Sequence, residues 1–490
     1  MCSNVPSVDS SHEGRESALR FLDGRINYER DRAVPYRERD LKLERMKELL
    51  ARLGAPHRRL RVVHVAGTKG KGSTAAMLGA ILCAAGYRTG LFTSPHLDRI
   101  EERIATDGQP CSGEALADLV RRVRPAVEAM DRLAGPGGAD EHGPTYFEII
   151  AAMAMLHFAD RCVDVAILEV GLGGRLDATN VCFPQVCAIT SIGFDHTRQL
   201  GNTLASIARE KAGIIKPGVP VVSGVTNAEP RGVIRQICRR RGAPLAELGQ
   251  DFDFRYHPPR HLEEHPAPAR FDFRAPLSYP GFDGLGDLPL PLVGRHQAAN
   301  AAVALAIAGE LDKAGWSISE AAVRTGLAAV EWPARVQPLC RRPTIILDSA
   351  HNPSSVDALV RALDESFAAR RRLLVFSASR GKDIQSMLSR LLGHFDELIF
   401  TQYLNNPRAV PAEKLAAAAR GLGANGCRVA PTPAGAWDAV RSLAAPEDLI
   451  CITGSVFIAA EMRAQIVARP IRAPEPRSVA QPAEMLQNES

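Results

Sequence analysis

The stretch VAGTKGKGSTAAM, Val65 to Met77, puts three glycines and two lysines between an apolar run and an alanine-rich one. Upstream, RVVHVA (Arg61 to Ala66) is rich in β-branched residues and short enough for a buried strand. Downstream, STAAMLGAILCAA (Ser73 to Ala85) is apolar nearly all round, the pattern of a buried helix. Gly67 to Gly72 is therefore read as a strand-to-helix turn. Its glycines let the backbone fold around an object, and the helix N-terminus points free N–H groups at it. That geometry favours an anion, most often phosphate. Lys71 can reach it as a point charge, and Ser73 or Thr74 can offer a hydroxyl to a magnesium ion. The spacing departs from the usual P-loop: two residues, not four, separate Gly67 from Gly70-Lys71, and Gly72 stands between Lys71 and Ser73. A glycine-rich turn with solvated lysines is the plain alternative, and the strand and helix flanks favour phosphate.

The bulk numbers narrow the partners. A net charge of +5 over 490 residues is too small to imply nucleic acid, and the basic clusters (Arg58-Arg59, Arg239 to Arg241, Arg370 to Arg372) have no interleaved aromatics. They read as solvated helix ends and loops. Ten scattered cysteines without a Cys-x-x-Cys pair suit buried thiols in a reducing cytosol. The polar, acidic N-terminus does not read as a signal peptide, and no apolar run reaches the length expected of a membrane span. A cytoplasmic protein is expected.

Residues 1–15 are expected to be disordered, followed by an amphipathic helical region from Ser17 to Leu53. Strand patterns at Tyr87 to Phe92, Val163 to Val170, Val186 to Thr190 and Val219 to Ser223 alternate with helix patterns at Leu116 to Met130, Tyr146 to Phe158 and Thr203 to Ala212. This predicts an α/β domain, a doubly wound parallel sheet carrying the P-loop. Asp251 to Leu292, rich in Pro, His and Gly, predicts an irregular, mostly β extension before a long helix, His296 to Ala314. A second alternating series starts near Thr344 and predicts a smaller α/β domain, with the boundary near Glu331 to Arg342. The expected division is 16–332, 333–469 and a disordered tail, 470–490.

Three further segments carry polar residues where predicted strands end, the place where open α/β sheets bind ligands. FTSPHLDRIEERI holds Ser94 and His96; ILEVGLGGRLDATNV holds Glu169 and Asp177; ITSIGFDHT holds Asp195 and His196. Carboxylate, imidazole and hydroxyl on one edge suit a hard cation such as magnesium, with phosphates completing its shell. Each residue singly fits a cap or turn just as well. In the second domain ILDSAHNPSS ends a strand with Asp348 and His351, and Pro353 opens a helix.

The chain resembles the folylpolyglutamate synthase/dihydrofolate synthase family, a branch of the Mur ligase superfamily. GTKGKGST, TSPHLDRIEERI, TYFEII, LEVGLGGRLDATNV, ITSIGFDHTRQLGNTLASIAREKAGIIKPG, GRHQAANAAVAL, WPARVQ, ILDSAHNP and TGSVFIAAEMR carry the resemblance, in family order. It implies a Mur ligase-like fold and an ATP- and Mg2+-dependent ligase. That enzyme would join L-glutamate to dihydropteroate or folate, as a monomer. By resemblance, Gly67, Thr68, Gly70, Lys71, Gly72 and Ser73 would cradle the ATP phosphates. Ser94, Glu169 and His196 would bind magnesium, as would Lys211 carboxylated to a carbamate. Asn300, Arg335 and Asp348 match nucleotide contacts, and His351 a residue at the domain interface near the phosphates. Thr145, Phe147, Glu148 and Asp177 resemble the pterin side of the site. Lys71, Lys211 and His351 would serve the reaction directly. The family usually has Asn at Lys69, Gly at Ala334 and Gly at Ser349. A Mur-type ligase of a cell-wall precursor is the nearest competing reading. A P-loop GTPase would need an Asn-Lys-x-Asp motif, which is absent. A dead scaffold is disfavoured because every metal and phosphate position is filled.

Overall fold

A computed structural model describes residues 8–30, 43–135, 143–275 and 279–470. The central sheet has eight strands: β1 (Val62–Ala66), β2 (Thr89–Phe92), β3 (Ile104–Thr106), β4 (Gln109–Pro110), β5 (Val165–Glu169), β6 (Val186–Ile189), β7 (Val221–Ser223) and β8 (Leu245–Glu247). Their order is β4-β3-β2-β5-β1-β6-β7-β8. β1 lies between β5 and β6, parallel to both, and every β1 residue is buried. The sheet is not purely parallel: β3 runs antiparallel to β2, and β4 to β3. These two short strands flank a turn at Asp107-Gly108, both with positive φ, a tight reversal too brief to show as alternation in the sequence.

Helices Lys71–Ala84 and Tyr146–Asp160 are buried almost throughout. They cover the sheet with Gly113–Leu133, whose narrower apolar face buries Leu116, Val120, Val123 and Val127. The β extension is a three-stranded antiparallel sheet, β9 (Asp253–His257), β10 (Ala269–Arg274) and β11 (Leu285–Leu290), in the order β11-β10-β9. It shares a hydrophobic core with helix Arg295–Lys313.

The second sheet comprises β12 (Gln337–Arg341), β13 (Thr344–Leu347), β14 (Arg372–Phe376), β15 (Glu397–Phe400), β16 (Arg428–Val429) and β17 (Leu449–Thr453). Its order is β12-β13-β17-β14-β15-β16, with only β12 antiparallel to its neighbour. β17 is central, so Asp348, Ser377 and Gly454 all leave strands at one edge.

One further expectation needs correction. Residues 8–15, expected to be disordered, form the first turns of helix Val8–Asp23. The polar run has no apolar stripe of its own; it continues a helix anchored by buried Ala18 and Leu22, and Arg15 pairs with Glu101 (Nε to Oε1, 2.5 Å). The short helices Ala228–Arg241, Glu320–Ala328, Ile384–Leu391 and Pro433–Leu443 were not read from the sequence. Arg239 to Arg241 form the last turn of the first, where cations complement the carbonyl end of the helix. Residues 1–7 and 471–490 lie outside the described residues, which leaves most of the expected tail there. No helix among the described residues is long and apolar enough to cross a membrane. The nine described cysteines are all free.

Candidate active site

The turn after β1 is tightly constrained. Gly67 has φ 157° and Gly70 φ 84°, and Gly70 caps helix Lys71–Ala84 from the left-handed region. A Cβ on Gly67 would fall 1.9 Å from Thr190 Oγ1, and one on Gly70 would fall 2.1 Å from Asn300 Oδ1. A Cβ on Gly72 would meet the Trp332 ring at 2.9 Å. The end of β6 holds the turn from the side. Thr68 N donates to Ser191 O, Lys69 N donates to Ser191 Oγ, and Thr190 Oγ1 donates to Lys69 O. Asn300 is therefore brought to the turn as expected, and buried Ser73 opens its helix.

Beside the turn stands Glu169, the last residue of β5, buried to 4% exposure. Its Oε2 accepts from Ser94 N at 3.1 Å, and its Oε1 lies 3.7 Å from Lys71 Nζ. Burial raises its pKa in spite of Lys71. A buried carboxylate in that state gains from a cation. No group of three or more His, Cys, Asp or Glu residues suited to a metal occurs among the described residues. Mg2+ needs no such cage, since it takes one or two carboxylates and completes its shell with phosphates and water. Lys211, at the end of helix Leu204–Lys211, is buried, and its Nζ donates to Gly67 O at 2.9 Å. Burial, followed by the charge of Lys71, lowers its pKa to about 7.

Asp195 is the hub that sequence reading undervalued. Its Oδ2 lies 3.0 Å from Lys69 Nζ and 3.2 Å from Asn352 Nδ2, and its Oδ1 2.6 Å from Lys382 Nζ. Burial opposes its charge, but the groups around it, Lys69 and Lys382 among them, outweigh it and hold the carboxyl well below the usual range. Lys69 also reaches His351 Nε2 at 2.7 Å, while His351 Nδ1 lies 3.0 Å from Ser349 O. Since Nδ1 needs its proton for that carbonyl, Nε2 accepts from the ammonium and the ring is neutral. Burial and then Lys69 lower its pKa to about 4. Asn352 and Lys382 lie in the loops that follow β13 and β14, on the side where strand ends gather ligands. His196 stands with φ 50° and its Nε2 3.8 Å from Asp195 Oδ1. Arg335 acts electrostatically on both Asp348 and Glu169. Asp348 is buried and accepts from Val336 N, Ala350 N and Thr453 Oγ1.

On the other side of β5, the Phe147 ring overlies Gly171, where a Cβ would come within 2.5 Å of it. Asp177 lies in the same loop and accepts from Leu172 N at 2.9 Å and Thr179 N at 3.0 Å. Thr145 caps helix Tyr146–Asp160 in a capping box with Glu148. The Glu148 carboxylate is spent on Arg45 Nε (2.9 Å), Thr145 N and Thr145 Oγ1. It orients the helix start rather than facing open space. A cavity of about 1020 Å3 between the two domains is lined by Tyr146, Arg103, Glu29, His96, Leu404 and Phe457 among others.

This architecture was compared with known proteins. The family model for the Mur ligase middle domain matches residues 65–308, and that for the Mur ligase glutamate ligase domain matches 334–456. A dihydrofolate synthase/folylpolyglutamate synthase of Bacillus subtilis is 38% identical over 427 residues, 86% of this chain and 94% of the relative. The chain belongs to the folylpolyglutamate/dihydrofolate synthase family of Mur ligases. A family member from Mycobacterium tuberculosis is 36% identical over 88% of this chain and 91% of its own. The crystal structure of M. tuberculosis folylpolyglutamate synthase complexed with ADP and AMPPCP superimposes with a TM-score of 0.82 at 34% identity, covering 93% of this chain and 98% of that one. Escherichia coli FolC in complex with DHPP and ADP gives 0.78 at 32% identity, covering 95% and 100%.

Two of this synthase's departures from the family pattern touch each other. Ala334, in a position the family usually fills with Gly, has φ 56°, and Val336 beside it has φ 47°. Left-handed backbone costs a non-glycine residue roughly 1–2 kcal/mol. Ser349 Oγ donates to Ala334 O at 3.1 Å, Gln337 Oε1 accepts from Ala334 N, and Asp348 Oδ2 from Val336 N. The second departure thus supplies a hydrogen bond that holds the first in its strained conformation.

Proposed function

We propose that this chain is an ATP-dependent amide ligase that joins L-glutamate to dihydropteroate, to tetrahydrofolate (poly)glutamates, or to both. The observation that carries the reading is the seam itself. A glycine turn with Lys71 beside buried Glu169 faces, through Lys69, His351 of the second domain. The named activities of the relatives support the substrate class.

A carboxylate cannot lose oxide to an amine, so it must first be activated. A carboxylate oxygen of the substrate attacks the γ-phosphorus of ATP. The bond from that phosphorus to the β–γ bridging oxygen breaks, and ADP leaves with the electron pair. The α-amine of glutamate then attacks the acyl carbon, the bond to phosphate oxygen breaks, and the amine releases a proton. Such chemistry needs positioning and charge neutralisation above all.

In this reading Gly67, Thr68, Gly70, Gly72 and Ser73 wrap the phosphates. Lys71 and Lys69 spread the negative charge, and Asn300, Arg335 and Asp348 hold the nucleotide. Ser94, Glu169 and His196 would hold Mg2+, which supplies charge neutralisation at the phosphates. Lys211, as a carbamate, would add an anionic ligand. His351 orients Lys69 from the opposite domain, which links closure to catalysis and keeps water from the acyl phosphate. Thr145, Phe147 and Asp177 bound the pterin side, and Glu148, held by Arg45, fixes Thr145 at the helix start. The enzyme acts as a cytoplasmic monomer in this reading, which light scattering on the purified protein tests for oligomeric state.

The deciding experiment is glutamate-dependent ADP release, with dihydropteroate and tetrahydrofolate supplied separately and a cell-wall muramoyl precursor as control. Release with either pterin substrate is expected. Release only with the muramoyl precursor, or with none of the three, would overturn the proposal.

A further inference from the structure

His64 lies in the middle of β1, fully buried, and both of its ring nitrogens have polar neighbours. Nε2 is 2.8 Å from Thr179 Oγ1, and Nδ1 is 3.6 Å from Cys182 Sγ. Thr179 Oγ1 in turn donates to Asp177 Oδ1. Four side chains thus run in series from the core to the loop that Phe147 overlies.

Counting protons fixes the direction of the series. Leu172 N, Thr179 N and the Thr179 hydroxyl all donate to Asp177. The hydroxyl has one proton and gives it to the carboxylate, so it must accept from His64 Nε2–H. Nδ1 then carries no proton and accepts from the Cys182 thiol. Burial agrees with the assignments at the ring and the thiol: it lowers His64 to about 3, keeping the ring neutral, and raises Cys182 to about 12, keeping the thiol protonated. It also raises the Asp177 carboxyl, a rise that the hydrogen bonds from Thr179 and Leu172 oppose.

We propose that His64 is a positioning residue for the acyl-substrate pocket, acting through Thr179 to lock the Asp177 carboxylate as an oriented acceptor for N–H donors of the bound heterocycle. The proposal rests on the reading of Asp177 as a substrate contact. Without a donor at position 64, the Thr179 hydroxyl loses the bond that fixes its rotation, and the carboxylate loses a fixed partner on Oδ1. A histidine that merely fills the core would affect stability and nothing else.

Steady-state kinetics on His64→Leu, His64→Gln, Thr179→Val and Thr179→Ser, with Asp177→Asn as control, separate these. His64→Leu and Thr179→Val are expected to raise KM for the pterin substrate roughly tenfold, the size of one lost oriented hydrogen bond, while KM for ATP stays within about twofold. His64→Gln and Thr179→Ser keep a donor at each link and are expected to restore most of that loss. The double variant His64→Leu/Thr179→Val should match Thr179→Val rather than multiply the two effects. If His64→Leu does not fold, His64→Phe, which keeps a buried ring without a donor, takes its place with the same two outcomes. An unchanged KM for pterin in Asp177→Asn would fell the underlying pocket reading. A raised KM in Asp177→Asn, with normal KM in folded His64→Leu and Thr179→Val, would overturn the role of His64. So would equal loss of affinity for ATP and pterin.

Discussion

Lys69 Nζ lies 2.7 Å from His351 Nε2, so a lysine of the β1 turn makes direct contact with the second domain. Most family members carry Asn here, by the resemblance in the sequence. Lys69 is partly buried, and its pKa falls to about 8 because of burial first, with Lys382 and Lys71 adding to the fall and Asp195 opposing it. Lys69→Asn removes a cation from the phosphate side and relieves that crowding. KM for ATP is expected to rise roughly tenfold, the scale of one charge-assisted contact. ATP titrations at saturating glutamate and pterin substrate measure this, and an unchanged KM would place Lys69 outside the phosphate contacts.

Lys71 supplies the sharper test of the turn. Its side chain is partly exposed at 17%, so Lys71→Ala opens no core cavity and should leave the melting temperature near that of the parent. A cation acting on a transferring phosphoryl group is worth roughly 3 kcal/mol or more, so kcat is expected to fall by about two orders of magnitude. Single-turnover ADP release isolates that step. Turnover within threefold of the parent would refute the assignment.

Glu29 and Arg103 carry a pH signature away from the phosphates. The Arg103 guanidinium is almost fully buried and grips both Glu29 oxygens, at 2.9 and 2.6 Å. Burial pushes the Glu29 carboxyl up, but Arg103 outweighs it and the net shift is downward. A carboxyl lowered in the folded state adds stability above its unfolded pKa, about 4.5, and loses it as pH falls through the folded value. Glu29→Gln is therefore expected to destabilise by about 3 kcal/mol at pH 7, because it leaves a buried charge poorly paired. The gap to the parent should close below about pH 4.5, as denaturant melts across pH 3 to 7 would show. A gap that stays constant over that range contradicts the pairing.

The strand–turn–helix around Gly67 to Gly72 was legible because a short β-branched strand, glycines and a buried helix fall in an order that few other structures need. Glu169 and Asp348 were legible for a related reason: one ends an apolar strand and the other directly follows one, with Asp177 in the glycine-rich loop after Glu169. Asp195 was seen as one more strand-end carboxylate, and its lysine partners were not, since Lys69 and Lys382 are 313 positions apart and meet only after two domains pack. Glu148 shows the converse error. Its motif neighbours face the pocket, but its own carboxylate is taken by Arg45, a residue on a helix about 100 positions earlier whose apolar stripe gave no hint of a buried cation. The β3–β4 hairpin stayed hidden because five residues of strand are too few for a period to show.

Lys211 closes the sequence of tests. Its ordinary reading is a helix C-terminal lysine in solvent, where cations are favoured. Here it is buried, and its amine donates to the carbonyl of Gly67 at the start of the phosphate turn. Burial holds its pKa near 7, so a large share of the amine is unprotonated at neutral pH, the form that reacts with carbon dioxide to give a carbamate. Lys211→Ala is expected to lower kcat by roughly two orders of magnitude, the scale for removing one preorganised electrostatic contact. Two causes could produce that loss: a missing anionic ligand, or a slackened turn after the bond to Gly67 is gone. Acetate separates them. A small carboxylate can enter the space left by the side chain and restore an anion, but it cannot donate a hydrogen bond to Gly67 O. Partial recovery of kcat with added acetate, and none with added methylamine, is the expected result. Recovery with methylamine instead would assign Lys211 to holding the turn, and full activity without either additive would remove it from the site.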